Sequence, residues 1–385
     1  MRYRSFGKVG WQPSALGFGC MRLPIKNEDT KQIDEPEATR MVRYAIDHGV
    51  NYVDTAYGYH GGQSEVFLGR ALAGGYRERV RVATKLPMWL LKEPGDMDRC
   101  FAEQRERLQI DHIDLYLLHG LDGPRWELAR KLGVPEWAER QKKAGHLGHL
   151  GFSFHARLET FKDIVTGYDG WEFCQIQYNY MDTEYQAGTE GLQFAAQRGL
   201  GVVVMEPLRG GLLAAPPPAA VAEVFERSPA RRTPADRALQ WLWNQPEVSV
   251  VLSGMSAMQH VTENVDSAGR SGVGSLSAAE IAVVDAARAA YNSLARVDCT
   301  GCEYCLPCPQ GINIPRHLGA LNEAAMYGVL ARYRRMYSRI PEDQRPGACQ
   351  ACAECEAKCP QGLPIRDLLA EAHRTFGDEA KPGAE

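Results

Sequence analysis

Eight short runs rich in β-branched and apolar residues punctuate the first two-thirds of this chain, with helical patterns between them. They fall at 15–19, 52–55, 80–85, 113–119, 148–153, 173–178, 201–205 and 248–252. Several, such as GVVVM and SVVLSG, are almost wholly apolar, as parallel strands buried on both faces must be. The helices between them have readable ends. One starts at Pro36 behind Asp34 and Glu35 and stops before Gly49; another covers 64–73 and stops at Gly74-Gly75; a third covers 96–108. Eight β-then-α units in about 265 residues fit a closed (β/α)8 TIM barrel better than an open doubly wound sheet. An open dinucleotide-binding sheet needs a G-x-G-x-x-G turn after its first strand. Here that strand leads into GFGCMRLP, where the third glycine is missing.

At 385 residues the chain exceeds one ordinary domain and suits a barrel plus a smaller module. The segment APPP at 215–218 reads as an excursion after the seventh strand, and 259–267 as a short helix. SAAE at 277–280 is a capping box that opens a helix reaching about Arg296. These features place the barrel at 1–292 and a second, small, mainly helical domain at 293–385. No apolar run approaches the roughly 18 residues of a membrane span, and the opening MRYRSFGKVGWQP has no apolar core of a signal peptide. A formal charge of −4 gives no reason to propose a nucleic-acid or membrane partner. Arg332, Arg334 and Arg335 read as a solvated helix face. Clustered cysteines without an export signal point to the reducing cytoplasm and to metal rather than disulfides.

In such a barrel, chemistry comes from the C-terminal ends of several strands. Those ends present Asp54, then Tyr59 five residues on, then Lys85 and His119. Any one of them alone reads as a cap or a rim residue. Together, a carboxylate, a phenol, an ammonium and an imidazole can do acid chemistry on a carbonyl. Tyr59 is the expected proton donor, with Lys85 lowering its pKa, Asp54 holding Lys85, and a neutral His119 orienting the carbonyl oxygen. Trp89 and Trp11 are candidate pocket walls.

GVNYVDTAYGYHGGQSEVFLGRAL, VATKLP, IDLYLLHG, LGFSFH and QIQYN, in that order, resemble the aldo-keto reductase superfamily over about residues 1–265. The resemblance maps the family's catalytic tetrad onto Asp54, Tyr59, Lys85 and His119. It implies reversible hydride transfer between a nicotinamide cofactor and a small carbonyl or alcohol, with no metal in the barrel. It further implies that Ser153 and Gln175 hold the nicotinamide carboxamide. MEPLRGGLL, especially Pro207, Leu208 and Gly211, would lie over the pyrophosphate. SGMSAMQHVTEN would meet the adenosine end through Gly254, Ser256, Gln259, Glu263 and Asn264. NADP is the family's usual cofactor. This sequence offers Ser256, Gln259 and His260 where many relatives place a lysine or arginine beside the 2′-phosphate, so NAD is the rival, and Arg270 or Arg209 are possible substitutes.

Eight of the eleven cysteines stand in two compact groups beyond the barrel. Cys349, Cys352, Cys355 and Cys359 have the C-x2-C-x2-C-x3-C-P spacing of bacterial ferredoxins. Cys299, Cys302, Cys305 and Cys308 repeat it with one residue fewer before the last cysteine, and both groups continue Pro-Gln-Gly. By analogy with ferredoxins, one [4Fe–4S] cluster takes Cys299, Cys302, Cys305 and Cys359, and the other takes Cys349, Cys352, Cys355 and Cys308. Structural zinc sites usually split two C-x2-C pairs across a dozen or more residues, unlike either group. The whole chain resembles aldo-keto reductases with a C-terminal ferredoxin-like dicluster domain. Three roles follow: a reductase that exchanges electrons through its clusters with an external carrier, a reductase whose cluster module is structural or a docking platform, or a cluster-bearing redox sensor or partner-docking protein whose barrel has little turnover.

Overall fold

The computed structural model describes residues 1–377. Eight parallel strands close into a barrel in sequence order, with β8 returning to β1. They are β1 (Leu16–Gly19), β2 (Tyr52–Asp54), β3 (Arg81–Leu86), β4 (Ile113–Leu121), β5 (Leu147–Phe154), β6 (Phe173–Gln177), β7 (Gly201–Met205) and β8 (Val250–Ser253). Each agrees with the expected run to within two residues at either end. Helices Glu35–Asp47, Gln63–Ala71 and Gly95–Leu108 follow the first three strands where the sequence places them. The strands are buried on both faces, which is why their alternation of apolar and polar residues is so weak.

Two apolar layers hold the barrel. The outer one packs strands against helices through residues such as Phe18, Val53, Met41 and Trp243. The inner one fills the lumen with Tyr52, Ala83, Leu115, Leu117, Phe173 and Val203, and Phe6 belongs to it. Phe6 precedes the barrel and plugs its N-terminal end, meeting the rings of Tyr52 at 6.3 Å and Phe173 at 5.5 Å. Gly201 opens β7 because this ring stands where its Cβ would be, 2.1 Å from Phe6 Cδ2. Trp11 stacks edge-on to Phe6 at 6.2 Å and lies beside Arg81, the first residue of β3. It therefore belongs to the closed end of the barrel, and the expectation that it lines the pocket is wrong.

The chain divides into two compact units. One gathers Met1–Ala214 and Arg232–Ile281; the other gathers Ala215–Arg231 and the chain from Ala282 onward. The excursion after β7 contains the helix Ala219–Glu226. The capping box at Ser277 forms as read: Glu280 accepts from the Ser277 N–H at 3.0 Å, and Ser277 Oγ accepts from the Glu280 N–H at 3.3 Å. Its helix ends at Ser293, short of Arg296. The side chain of Asn322 takes the N–H groups of Arg296 and Val297, each at 2.8 Å, and turns the chain away. The second unit packs helices Ile314–Tyr327, Leu330–Ser338 and Ile365–Gly377 around Leu318, Leu321, Tyr333, Tyr337, Leu369 and Phe376. Arg334 is not simply solvated; it donates to the Thr375 carbonyl at 3.1 Å.

Phe6→Ala should destabilise the barrel by about 3–5 kcal/mol, the usual cost of emptying a buried aromatic site. Urea unfolding followed by tryptophan fluorescence would measure it.

Candidate active site

The ends of β2 and β3 place a buried charge pair at the barrel mouth. Lys85 Nζ donates to Asp54 Oδ1 at 2.7 Å and to the Thr55 carbonyl at 2.8 Å. Its third contact is Tyr59 Oη at 3.4 Å. Both charged groups are only 1% exposed. Burial alone would drive the proton off Lys85, but Asp54 and then Tyr59 reverse that and hold the ammonium above its ordinary value. For Asp54, burial pushes the carboxyl upward against the pull of Lys85. Tyr59 departs from expectation. Lys85 does pull its phenol down, but burial outweighs that pull and leaves the phenol above its ordinary value. The group therefore keeps its proton at neutral pH.

His119 lies near the end of β4, with its ring 6.1 Å from that of Tyr59 and 5.0 Å from that of Trp89. Burial and then the Lys85 charge bring its pKa down to about 3, so the imidazole is neutral. Its buried Nδ1 has no hydrogen-bond partner among the described residues. Trp89 is 49% exposed and stands at the mouth as a wall.

Beneath the mouth a polar network braces β3. Glu65, wholly buried, accepts from Thr84 Oγ1 and from Gln104 Nε2, each at 2.6 Å. Gln104 also donates to the Lys85 carbonyl at 3.0 Å. The backbone carrying Lys85 is thus fixed from below, through residues that the sequence reading did not single out. The SE dipeptide inside the helical pattern after Tyr59 was the available signal, since a carboxylate on a core-facing position needs donors.

Ser153 and Gln175 are register partners on β5 and β6, so both point to the same face. Ser153 Oγ accepts from the Gly120 N–H at 2.8 Å, which leaves its own hydrogen to donate. Gln175 Oε1 is buried without a hydrogen-bond partner among the described residues. A donor beside an orphaned acceptor is what a carboxamide requires, and this pair fits a nicotinamide. On the next strand round, Pro207 and Leu208 follow β7, and Gly211 closes a 3-10 turn with φ +92°. Asn179, from the QIQYN stretch, donates to the Glu206 carbonyl at 3.2 Å and so supports Glu206 at φ +54°. After β8, Gly254 and Ser256 are exposed, Gln259 donates to Glu263 at 2.7 Å, and Asn264 is buried against Ser253 Oγ at 3.1 Å.

The proposed substitute cations are engaged elsewhere: Arg209 pairs with Asp182 at 3.3 Å, and Arg270 with Asp266 and Asp236. A different arginine reaches this side. Arg22, on the loop after β1, pairs with Glu206 at 3.5 Å, and its stem lies 3.3 Å from where a Cβ on Gly254 would stand. Only the closure of β8 onto β1 brings it there, so linear spacing could not reveal it.

In the second unit, Cys299, Cys302, Cys305 and Cys359 line one pocket backed by Leu318, Leu363 and Ile365. Cys308, Cys349, Cys352 and Cys355, with Cys305 at the border, line another. Among the described residues no three ligating side chains converge tightly on one point; the thiols rim these two cavities instead. The halves repeat in backbone as well as sequence. Gly301 and Glu303 flank Cys302 with φ +69° and +67°, and Ala351 and Ala353 flank Cys352 with φ +55° and +63°. Such alternation around a central residue turns successive N–H groups inward, making a nest for an anionic guest. A thiolate-rich cavity lined by such a nest fits an iron–sulfur cluster.

A profile of the aldo/keto reductase family matches residues 15–289. This chain belongs to that family. A 4Fe-4S dicluster domain matches residues 298–363, so the second module is of that type. Among curated relatives, an uncharacterized oxidoreductase of Bacillus subtilis, YrpG, is 31% identical over 55% of this chain and 68% of its own length. L-galactose dehydrogenase of Arabidopsis thaliana is 27% identical over 68% of this chain and 86% of its own length. Among solved structures, the holo form of the aldo-keto reductase AKR11C1 from Bacillus halodurans is 26% identical, with a TM-score of 0.62, covering 74% of this chain and 96% of the other. No helix among the described residues of this aldo/keto reductase is long and apolar enough to cross a membrane.

The depressed His119 pKa carries a stability consequence. Between pH 6.5, the ordinary imidazole value, and about 3, the unfolded chain binds a proton that the folded site refuses. This contribution to stability is therefore complete above that window and falls as pH drops through it. His119→Phe should lose less urea resistance than wild type on acidification from about pH 7 to about pH 4.5, read from denaturation midpoints.

Proposed function

We propose that the barrel catalyses reversible, NAD(P)-dependent carbonyl reduction with Tyr59 as the general acid, and that the second module holds two [4Fe–4S] clusters. The observation that carries the catalytic reading is Lys85 Nζ, which reaches Asp54, the Thr55 carbonyl and Tyr59 Oη from one buried position. A nicotinamide cofactor bound there supplies a hydride. Every other part belongs to the protein. Tyr59 holds its proton at neutral pH and gives it to the carbonyl oxygen. The Lys85 ammonium stabilises the phenolate left behind, as a preorganised charge at low local dielectric. Asp54 keeps that ammonium charged and aimed. The neutral His119 hydrogen-bonds the substrate oxygen, and Trp89 walls the substrate side. Ser153 and Gln175 hold the carboxamide; Pro207, Leu208 and Gly211, with Arg22 opposite them, face the diphosphate; Gly254, Ser256, Gln259, Glu263 and Asn264 face the adenosine end. Either NADP or NAD suits this site.

In the second module, Cys299, Cys302, Cys305 and Cys359 would ligate one cluster, and Cys308, Cys349, Cys352 and Cys355 the other. The two cavities and their shared border at Cys305 support this partition. Such clusters supply one-electron chemistry and need a reducing compartment, which the cytoplasm provides. An external carrier would be their exchange partner.

Tyr59→Phe should lower aldehyde reduction by about 10²-fold or more, the typical worth of general acid catalysis. Cofactor affinity and iron content should stay at wild-type values. Steady-state rates, nucleotide titration and iron analysis test the three parts. A residual rate above about a tenth of wild type would assign the acid to another group.

Hydride transfer moves two electrons together, whereas each cluster passes one, and the sequence carries no recognised flavin motif to divide the pair. In the anaerobic, flavin-free protein, dithionite should therefore bleach the cluster absorbance while NADPH alone should not. NADPH should still reduce a simple carbonyl in the same preparation. Fast bleaching on mixing with NADPH in a stopped-flow experiment would establish a direct relay instead.

A further inference from the structure

We propose that His60 is a positioning residue that ties the loop leaving β1 to the turn that carries Tyr59. This role rests on the carbonyl-reductase reading above. His60 follows Tyr59 directly, is 8% exposed and sits at φ +52°, ψ +37°. That left-handed conformation is uncommon for a residue with a β-carbon and persists only where the surroundings enforce it. The enforcing contacts are two backbone groups on the β1 loop. The ring Nδ1 meets the Thr30 carbonyl at 2.6 Å, and the ring Nε2 meets the Leu23 N–H at 3.3 Å. A carbonyl only accepts and an N–H only donates. Nδ1 therefore carries the hydrogen, Nε2 is bare, and the imidazole is a neutral, fully used bracket.

The loop it holds has its own internal order. Ile25 pairs with Ile33 as an antiparallel bridge, Lys26 N–H donates to Gln32 at 2.8 Å, and Asn27 and Glu28 make the turn, each at φ +55°. This hairpin packs onto the residue after His60: a Cβ on Gly61 would stand 2.8 Å from Lys31 Cγ. Leu23, at the foot of the hairpin, is 3% exposed and follows Arg22, which reaches Glu206. One imidazole thus sets the backbone on both sides of the mouth. One side carries the proton donor, and the other carries the arginine that pairs with the β7 loop.

The test uses the full-length protein. His60→Ala should lower kcat for a simple aldehyde about tenfold, since a displacement of even 1 Å near the chemistry costs up to 10². It should also weaken NADPH binding in fluorescence titration. His60→Asn tolerates the left-handed backbone and can still donate to Thr30, so it should recover most of both losses. In an Arg22→Met background, His60→Ala should weaken NADPH binding little further, because the two residues act on the cofactor through one contact. In the selectively ¹⁵N-labelled wild type, the His60 ring should show a protonated Nδ1 and an unprotonated Nε2. A protonated Nε2, losses that add in the double variant, or a His60→Asn no better than His60→Ala would each overturn the proposal. Wild-type turnover separates the levels. An active wild type with an indifferent His60→Ala overturns the positioning role alone, and an inactive wild type overturns the reading beneath it.

Discussion

The Lys85–Asp54 pair is the interaction on which the site depends. An ammonium and a carboxylate buried at the barrel mouth each lose several kcal/mol of hydration, and only close pairing with further hydrogen bonds restores it. Here the Thr55 carbonyl and Tyr59 Oη complete the ammonium's shell, so the proposed proton donor is itself part of what makes the buried charge tolerable. Removing either partner leaves the other uncompensated. The network of Glu65, Thr84 and Gln104 below has the same logic one layer down. It fixes the strand so that the charge pair cannot relax toward water.

The barrel supplies the rigidity that this arrangement requires. Parallel strands paired all the way round leave no free edge, and the Phe6 plug fills the lumen from the end opposite the mouth. The mouth is therefore the end at which polar groups can collect. Loops after β1, β7 and β8 meet there through Arg22, Glu206 and Gly254, although they stand far apart in sequence.

The cysteine module solves a different problem. Its helical core gathers around Leu318, Tyr337 and Leu369, and six of the eight clustered cysteines pack against that core. Its two halves repeat the left-handed residues around the central cysteine, even though Glu303, Ala351 and Ala353 are not glycines. Backbone strain repeated at equivalent positions points to a shared demand, and a nest of N–H groups for an anionic guest is what such backbone provides.

Much of this was legible in the sequence. Strand positions, the capping box, the DTAYGY spacing and the cysteine figures are local signals, set by side-chain size, hydrogen-bonding type and interval along the chain. The sequence alone determined the barrel, its strand order, the four groups Asp54, Tyr59, Lys85 and His119 at or just beyond strand ends, and the type of the second module. Tertiary structure decided what depends on distance and burial. It sent Trp11 to the closed end, paired Arg209 and Arg270 with acids, and brought Arg22 to Gly254. It also raised the Tyr59 phenol where the nearby cation suggested lowering, because desolvation inside the barrel outweighs a single charge. No reading of neighbours along the chain contains that balance, since the groups that remove water from Tyr59 come from other strands.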